Sequence, residues 1–263
     1  MLKVGMIGYG AIAQFVAEAL PRINAQLEWV IARPGRTEAV KAVLGPSIKV
    51  LERLEQERPD VVIDCAGHSA LQQHGAEILH AGIPLITVSI GALADPALHK
   101  MLTGAARTGN TRLRLSTGAI GGLDAIASAS VGTLERVTYI GRKPPKGWKG
   151  SRAEEVVNLD DLHGQATTHF EGSAREAALL YPKNANVAAA VALAGLGFDD
   201  TNVELIADPN VNANIHEIKA KGDFGEMHFT IAGNTLPDNT RTSALAAMSV
   251  VKMLSEEGAS VTF

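Results

Sequence analysis

The chain has 263 residues, 46% of them hydrophobic and 20% charged, which is enough for one large or two modest globular domains. A net charge of -4 leaves no basic surplus to draw in nucleic acid or an anionic membrane surface. An aromatic share of 4% offers few stacking platforms for single strands, and the lone Cys65 excludes an intrachain disulfide and fits a reducing compartment.

The N-terminal stretch MLKVGMIGYG lacks the basic, apolar and cleavage regions of a signal peptide. The longest apolar run, Val187 to Leu196, falls short of the ~20 residues that span a bilayer. The expectation is a cytoplasmic protein whose partners are small molecules, with neither a membrane nor a nucleic acid among them.

In chain order, Lys3 to Ile7 reads as a short apolar strand and Ala11 to Leu20 as a helix. Strands are expected at Leu27–Ile31, Val61–Asp64, Pro84–Val88 and Thr111–Leu115. Helices are expected at Glu38–Leu44, Ser69–Ala81 and Pro96–Thr108. Strands alternating with helices imply right-handed crossovers and a parallel sheet.

Beyond this point the pattern changes. Leu134 to Gly141 alternates polar and apolar residues, as a sheet with one wet face does. Arg142 to Arg152, rich in Lys, Pro and Gly, reads as a mobile loop. A short strand at Thr167–Glu171 and helices at Ser173–Leu180 and Val187–Gly195 follow. The runs Val203–Ile206, Asn214–Lys221 and Met227–Ala232 read as antiparallel strands. A last helix, Thr242 to Glu256, carries Leu245, Met248, Val251 and Leu254 as an apolar stripe. The expected fold is α/β: a Rossmann dinucleotide-binding domain over residues 1–118 and an α+β domain on a mostly antiparallel sheet over 119–240. By analogy with two-domain dehydrogenases, the C-terminal helix, 241–263, is expected to return to the first domain.

Gly8-Tyr9-Gly10-Ala11-Ile12-Ala13 matches G-x-G-x-x-G/A between an expected strand and an expected helix. Gly8 permits the tight turn, Gly10 lets backbone approach a pyrophosphate, and Ala13 keeps helix close to strand. The N–H groups at Ala11 and Ile12 open the helix and offer partial positive charge to phosphates. Such glycines also occur in turns of unrelated α/β proteins, but the strand-before, helix-after context favours NAD or NADP.

After the second strand, where an acid would accept bonds from ribose hydroxyls, the sequence is Val30-Ile31-Ala32-Arg33-Pro34-Gly35-Arg36. Arg33 and Arg36 suit a 2′-phosphate, though both also fit a solvated loop. Later strand ends should face the same ligand: Cys65-Ala66-Gly67-His68, and Ser89 before Ile90-Gly91. Cys65 reads as a small buried residue rather than a nucleophile. His68 fits a site residue or a helix start equally.

In Asn214-Ile215-His216-Glu217-Ile218, strand alternation puts His216 on one side with Ile218 and Ala220. A hydrogen-bonded core histidine fits that pattern as well, and His163, His169 and His228 compete with it on chain position alone.

The chain resembles the L-aspartate dehydrogenase family along essentially its whole length. The resemblance is carried by VGMIGYGAIA, VSIGALAD, LSTGAIGGLDAI, FEGSAREAALLYPKNANVAAAVALAG and NANIHEIKAKGDFG. The glycine fingerprint is common to many dehydrogenases, whereas YPKNANVAA and the Asn-x-Asn-x-His-x-Ile pattern are far more specific. The resemblance implies reversible oxidation of L-aspartate by NAD or NADP to iminoaspartate. That product either hydrolyses to oxaloacetate and ammonia or feeds NAD biosynthesis. The resemblance also implies that Ala119, Ile120 and Asn186 contact the dinucleotide, that His216 is the catalytic histidine, and that the protein is a homodimer. Arg33 is a departure from NAD-specific members, which carry an acid there.

Two carboxylates on the substrate call for cations or clustered N–H donors. Lys183, beside Asn184 at the start of the Val187 helix, is the first candidate, although a turn lysine after Pro182 would look the same. Thr167 and Thr168 could supply hydroxyls, and the basic 143–149 loop could close over an acid. No metal is expected. Competing readings are another two-domain reductase or a non-enzymatic dinucleotide sensor. The chain lacks the His-His pair of dihydrodipicolinate reductases, and Val88-Ser89-Ile90-Gly91 stands where sugar oxidoreductases carry Glu-Lys-Pro.

Overall fold

Strands that are buried on both faces must be apolar throughout rather than alternating. Val61, Val62 and Ile63 meet that condition, and so do Val4, Met6 and Ile7. A computed structural model describes every residue except Lys183, Asp238 and Phe263, together with the side chains of Thr240 and Arg241. The chain divides into two units, Met1–Ser116 with Ala246–Phe263, and Thr117–Leu245.

The first unit alternates β1 (Leu2–Ile7), α1 (Ala11–Ala19), β2 (Ala25–Ile31), α2 (Thr37–Leu44), β3 (Lys49–Leu51), β4 (Val61–Asp64), α3 (His68–His80), β5 (Leu85–Thr87), α4 (Pro96–Thr108) and β6 (Leu113–Leu115). The strands form one six-stranded sheet in the order β3-β2-β1-β4-β5-β6, parallel at every pairing. This is the doubly wound order, whose direction reverses between β1 and β4 and leaves a ligand crevice at the strands' carboxyl ends. The edge strand β3 has no counterpart in the sequence reading. Its three residues lie between Pro46 and the polar run 52–60, too short to show a period.

The second unit contains α5 (Leu123–Ala129), β7 (Leu134–Lys143), α6 (Ala153–Val156), β8 (Thr167–Ser173), α7 (Ala174–Leu180) and α8 (Asn186–Ala194). It continues with β9 (Thr201–Ala207), β10 (Asn214–Gly222), β11 (Gly225–Gly233), β12 (Thr235–Leu236) and β13 (Asn239–Ser243). Its main sheet runs β11-β10-β7-β9-β8. All pairings in that sheet are antiparallel except β7 with β9, which is parallel. The expected antiparallel run from 203 to 232 is therefore interrupted: β9 pairs with β7 and β8, and β10 enters on the other side of β7.

The basic stretch after β7 is not the loose loop its composition suggests. Trp148 is buried, and its Nε1 donates to the Ile206 carbonyl at 2.9 Å. An indole buries a large apolar area while its N–H finds an acceptor, and here it pins the segment to β9.

The final helix α9 (Ala244–Glu256) begins at the unit boundary, and its residues from Ala246 onward belong to the first unit. There Val250, Met253 and Leu254 join Val4, Met6, Val16, Val30 and Val61 in one apolar cluster. Its inward face differs from the expected stripe: Ala247, Val250 and Met253 are buried, whereas Met248 is 49% exposed. Apolar residues surround this helix on most sides, so packing rather than periodicity selects the face. Leu254→Ala should therefore cost about 2–5 kcal/mol, and Met248→Ala should stay within about 0.5 kcal/mol. Urea unfolding of the two variants checks the pair; equal losses would contradict the assigned face.

Candidate active site

In the first unit the expected cofactor residues converge at the carboxyl ends of β1, β2, β4 and β5. Gly8 follows β1 with φ +92, and its N–H donates to the Ile31 carbonyl at 2.9 Å. A Cβ added there would lie 2.8 Å from that of Ala66, so only glycine lets the β1 and β4 loops meet. At Gly10, the N-cap of α1, an added Cβ would meet nothing within 4 Å, and the first intrahelical bond runs from the Gln14 N–H to the Gly10 carbonyl. The N–H groups of Ala11, Ile12 and Ala13 therefore lie in the first turn, where helices lack internal acceptors and attract phosphate. An open backbone cradle with donors aimed outward fits a dinucleotide pyrophosphate.

Arg33 lies two residues past β2, exposed, and its carbonyl accepts from the Arg36 N–H at 3.3 Å in a turn through Gly35. Among the described residues, neither Arg33 nor Arg36 has a carboxylate partner. Cys65, Ala66 and Gly67 form the loop from β4 into α3. Burial, and then the neighbouring Asp64, push the Cys65 thiol well up, which fits a packing role.

Ser89 is buried after β5, and its Oγ donates to Asp64 Oδ2 at 2.6 Å. Thr87 Oγ1 donates to the same oxygen at 2.7 Å, and the Ala66 N–H reaches Oδ1 at 3.0 Å. Burial raises the Asp64 pKa, against these donors. The Ser89 hydroxyl thus ties the β4 and β5 loops together. Sequence reading missed this carboxylate because it ends an otherwise apolar strand.

In the second unit, alternation places His216, Ile218 and Ala220 on the buried face of β10. His216 is 5% exposed and is paired with Gly141 of β7. Its Nδ1 shares a 2.7 Å hydrogen bond with the hydroxyl of Tyr139. Tyr139 lies two residues from Gly141 on the same face. An added Cβ at Gly141 would lie 2.9 Å from that hydroxyl, so the missing side chain is what lets the phenol reach across. Among the described residues no other group bonds the ring, and its Nε2 is left for a ligand.

Lys143, two residues beyond Gly141, shares this face. Its Nζ donates to Asn184 Oδ1 at 2.8 Å and lies 4.7 Å from the Trp148 ring centroid. Its carbonyl accepts from the Asp208 N–H at 2.9 Å, and Asp208 in turn pairs with Arg142 at 2.8 Å, which fixes the end of β7. Lys143, Asn184, Asn214 and Thr235 line a cavity of about 720 Å³.

The Ala119-Ile120 loop is buried and continues into Gly121, which lies against the ring of Phe229. Phe229 is paired with Ile218, so this loop meets the same sheet face. Asn186 opens α8. Lys183 lies outside the described residues.

Thr167 and Thr168 are not brought to the cavity. They sit on β8, three strands from β10 and thus roughly 14 Å away, and Thr168 Oγ1 donates to Glu204 Oε1 at 2.9 Å. Of the competing histidines, His163 is exposed and His228 faces solvent near Glu217. His169 is buried with its Nδ1 3.2 Å from the Tyr181 hydroxyl and, among the described residues, its Nε2 without a partner. Its ring meets Trp148 edge-on at 4.4 Å. Sequence reading missed Tyr139, Trp148 and Lys143 as individual residues. The i, i+2 spacing of Tyr139, Gly141 and Lys143 was the signal available for two of them. Among the described residues no group of three or more His, Cys, Asp or Glu is placed to hold a metal ion.

A histidine titrating near neutrality suits a base, but burial first and the Lys143 charge second push His216 down to about 3. The imidazole is therefore neutral throughout the physiological range. Burial likewise lowers Lys143 to about 8, and burial with Lys143 lowers His169 to about 4.

Residues 124–257 match the family model described as aspartate dehydrogenase, C-terminal, and residues 8–116 match that of the homoserine dehydrogenase NAD binding domain. An L-aspartate dehydrogenase of Ruegeria pomeroyi is 55% identical, over 99% of this chain and 94% of its own length. The chain belongs to the L-aspartate dehydrogenase family. A second member, from Cupriavidus necator, is 47% identical with both chains covered fully. The crystal structure of the Thermotoga maritima aspartate dehydrogenase superposes with a TM-score of 0.79 at 25% identity, covering 100% of this chain and 99% of that one. Family membership and fold agree with the resemblance carried by the motifs.

The two buried histidines make stability fall in acid. Unfolded, each binds a proton near its ordinary pKa of about 6.5; folded, each stays neutral until about 3 or 4. Below about pH 6.5 the unfolded state thus binds more protons. Each ring should remove up to about 2 kcal/mol between pH 7 and pH 5. Urea unfolding at the two pH values measures the loss, and His169→Gln should shrink it by roughly half; a loss unaffected by that change would contradict the assignment.

Proposed function

We propose that the protein is an NAD- or NADP-dependent oxidoreductase that converts L-aspartate reversibly to iminoaspartate, which water hydrolyses to oxaloacetate and ammonia. The observation that carries this reading is the buried His216. It is held on a strand by Tyr139 and shares its face with the cation Lys143, in a chain 55% identical to an L-aspartate dehydrogenase. A bound dinucleotide would supply the acceptor for the hydride that leaves Cα. The first-turn N–H groups of α1 would hold its pyrophosphate, and Arg33 would face a 2′-phosphate if one is present.

The substrate nitrogen must shed protons before its lone pair can assist hydride departure. An imidazole with a free Nε2 can accept one once the carboxylates of the bound substrate offset the Lys143 charge and raise the ring's basicity from its substrate-free level. With Nδ1–H donating to the Tyr139 oxygen, Nε2 carries a lone pair and acts as base. With the Tyr139 hydroxyl donating to Nδ1, Nε2 carries the proton and can return it, or position water against the imine. Burial raises the Tyr139 pKa well above its usual value, so the phenol stays protonated and the ring is not exposed to a fixed anion. The same reading includes a homodimer in the cytoplasm, supported by the family resemblance.

His216→Ala should lower kcat for oxaloacetate reduction in ammonia by about 10²–10⁴-fold while leaving the dinucleotide dissociation constant unchanged. Steady-state kinetics with fluorescence titration of NADPH tests this, and equal turnover would remove His216 from the reaction. Arg33→Asp should raise the KM for NADPH relative to NADH by about tenfold or more. An unchanged ratio would show that Arg33 does not read a 2′-phosphate.

A further inference from the structure

Lys143 is a half-buried ammonium with no carboxylate partner among the described residues. Taking such a group out of water is unfavourable unless a counter-charge compensates. A neutral amide oxygen and the face of an indole compensate in part. The neighbouring cations are placed differently. Lys149 pairs with Asp160 at 2.5 Å, Arg142 pairs with Asp208 at 2.8 Å, and Lys146 is exposed. The residues found lining the 720 Å³ cavity include Lys143, Lys146 and Lys149 and, among the described residues, no Asp or Glu.

The helix above adds to this field. Gly195 at the C-terminal end of α8 lies against Val137 near one end of β7, and Asn184 just before α8 reaches Lys143 at the other. The helix therefore runs antiparallel to β7 with its positive end toward Lys143. Lys143 also lies on the His216 face, one side-chain repeat beyond the residue paired with His216.

We infer that Lys143 is the cation that receives a carboxylate of the dicarboxylic substrate, with Asn184 holding the ammonium in place before the acid arrives. The identity of that acid rests on the aspartate reading. The incoming carboxylate supplies the counter-charge the fold omits. It also raises the Lys143 pKa from about 8, so the bound pair stays charged.

The test is calorimetric titration of succinate into the NADPH-loaded enzyme, together with oxaloacetate kinetics. Lys143→Met should weaken succinate binding and raise the oxaloacetate KM, each by at least about tenfold. In that variant kcat should change little, and Lys143→Arg should recover part of the loss. Succinate bound as tightly by Lys143→Met as by wild type would overturn the inference, as would a fall in kcat alone or a wild type that does not bind succinate. Should Lys143→Met fail to fold, Asn184→Asp offers Lys143 a resident carboxylate of the same shape. It should weaken succinate at least about tenfold without lowering the unfolding midpoint; unchanged affinity would again overturn the inference. A wild type that binds succinate but does not turn over oxaloacetate would sink the aspartate reading and leave Lys143 as an anion site.

Discussion

The chemistry proposed for this protein depends on keeping one imidazole dry and uncharged. His216 sits at 5% exposure on β10, its Nδ1 engaged by a phenol that is itself buried and stays protonated. Desolvation removes the ring from its ordinary titration range, and the ammonium of Lys143 pushes in the same direction. The result is a neutral donor-acceptor whose state does not drift with cellular pH. The cost is an acid-sensitive fold, since an unfolded histidine is free to take the proton that the native ring refuses.

Other features of the second unit follow from that constraint. Gly141 has no side chain because the Tyr139 hydroxyl crosses above it. Trp148 converts a basic Gly/Pro segment into an anchored turn, and its ring face supports Lys143. Asn184, just before α8, accepts a hydrogen bond from the ammonium. A substrate acid meeting Lys143 meets it on the face that presents His216. In the first unit, Gly8 against Ala66 and the Asp64–Thr87–Ser89 bonds bring three strand ends to one rim.

Much of this was legible in the sequence where local rules dominate. The glycine fingerprint, the strand and helix alternation up to residue 115, and the His216-Ile218-Ala220 face all rest on backbone sterics and side-chain period, which act within a few residues. What failed to show depends on partners distant in sequence. β3 is three residues long and exists because β2 offers it an edge. The inward face of α9 is chosen by the cluster it joins, since its sequence permits several stripes. The parallel pairing of β7 with β9 and the burial of Trp148 against Ile206 are long-range choices that no periodicity encodes. His216 was singled out by family resemblance, but its lowered pKa came from burial and from Lys143, which the sequence does not place beside it.

The most direct measurement is a nuclear magnetic resonance titration of the His216 ring nitrogens in ¹⁵N-histidine-labelled protein, assigned with His216→Gln. The account predicts a neutral ring with unchanged nitrogen shifts from pH 8 down to about pH 5, well above its native pKa of about 3. A ring that titrates near pH 6.5 would show that His216 is hydrated and free of the Tyr139 and Lys143 environment, and would contradict the account.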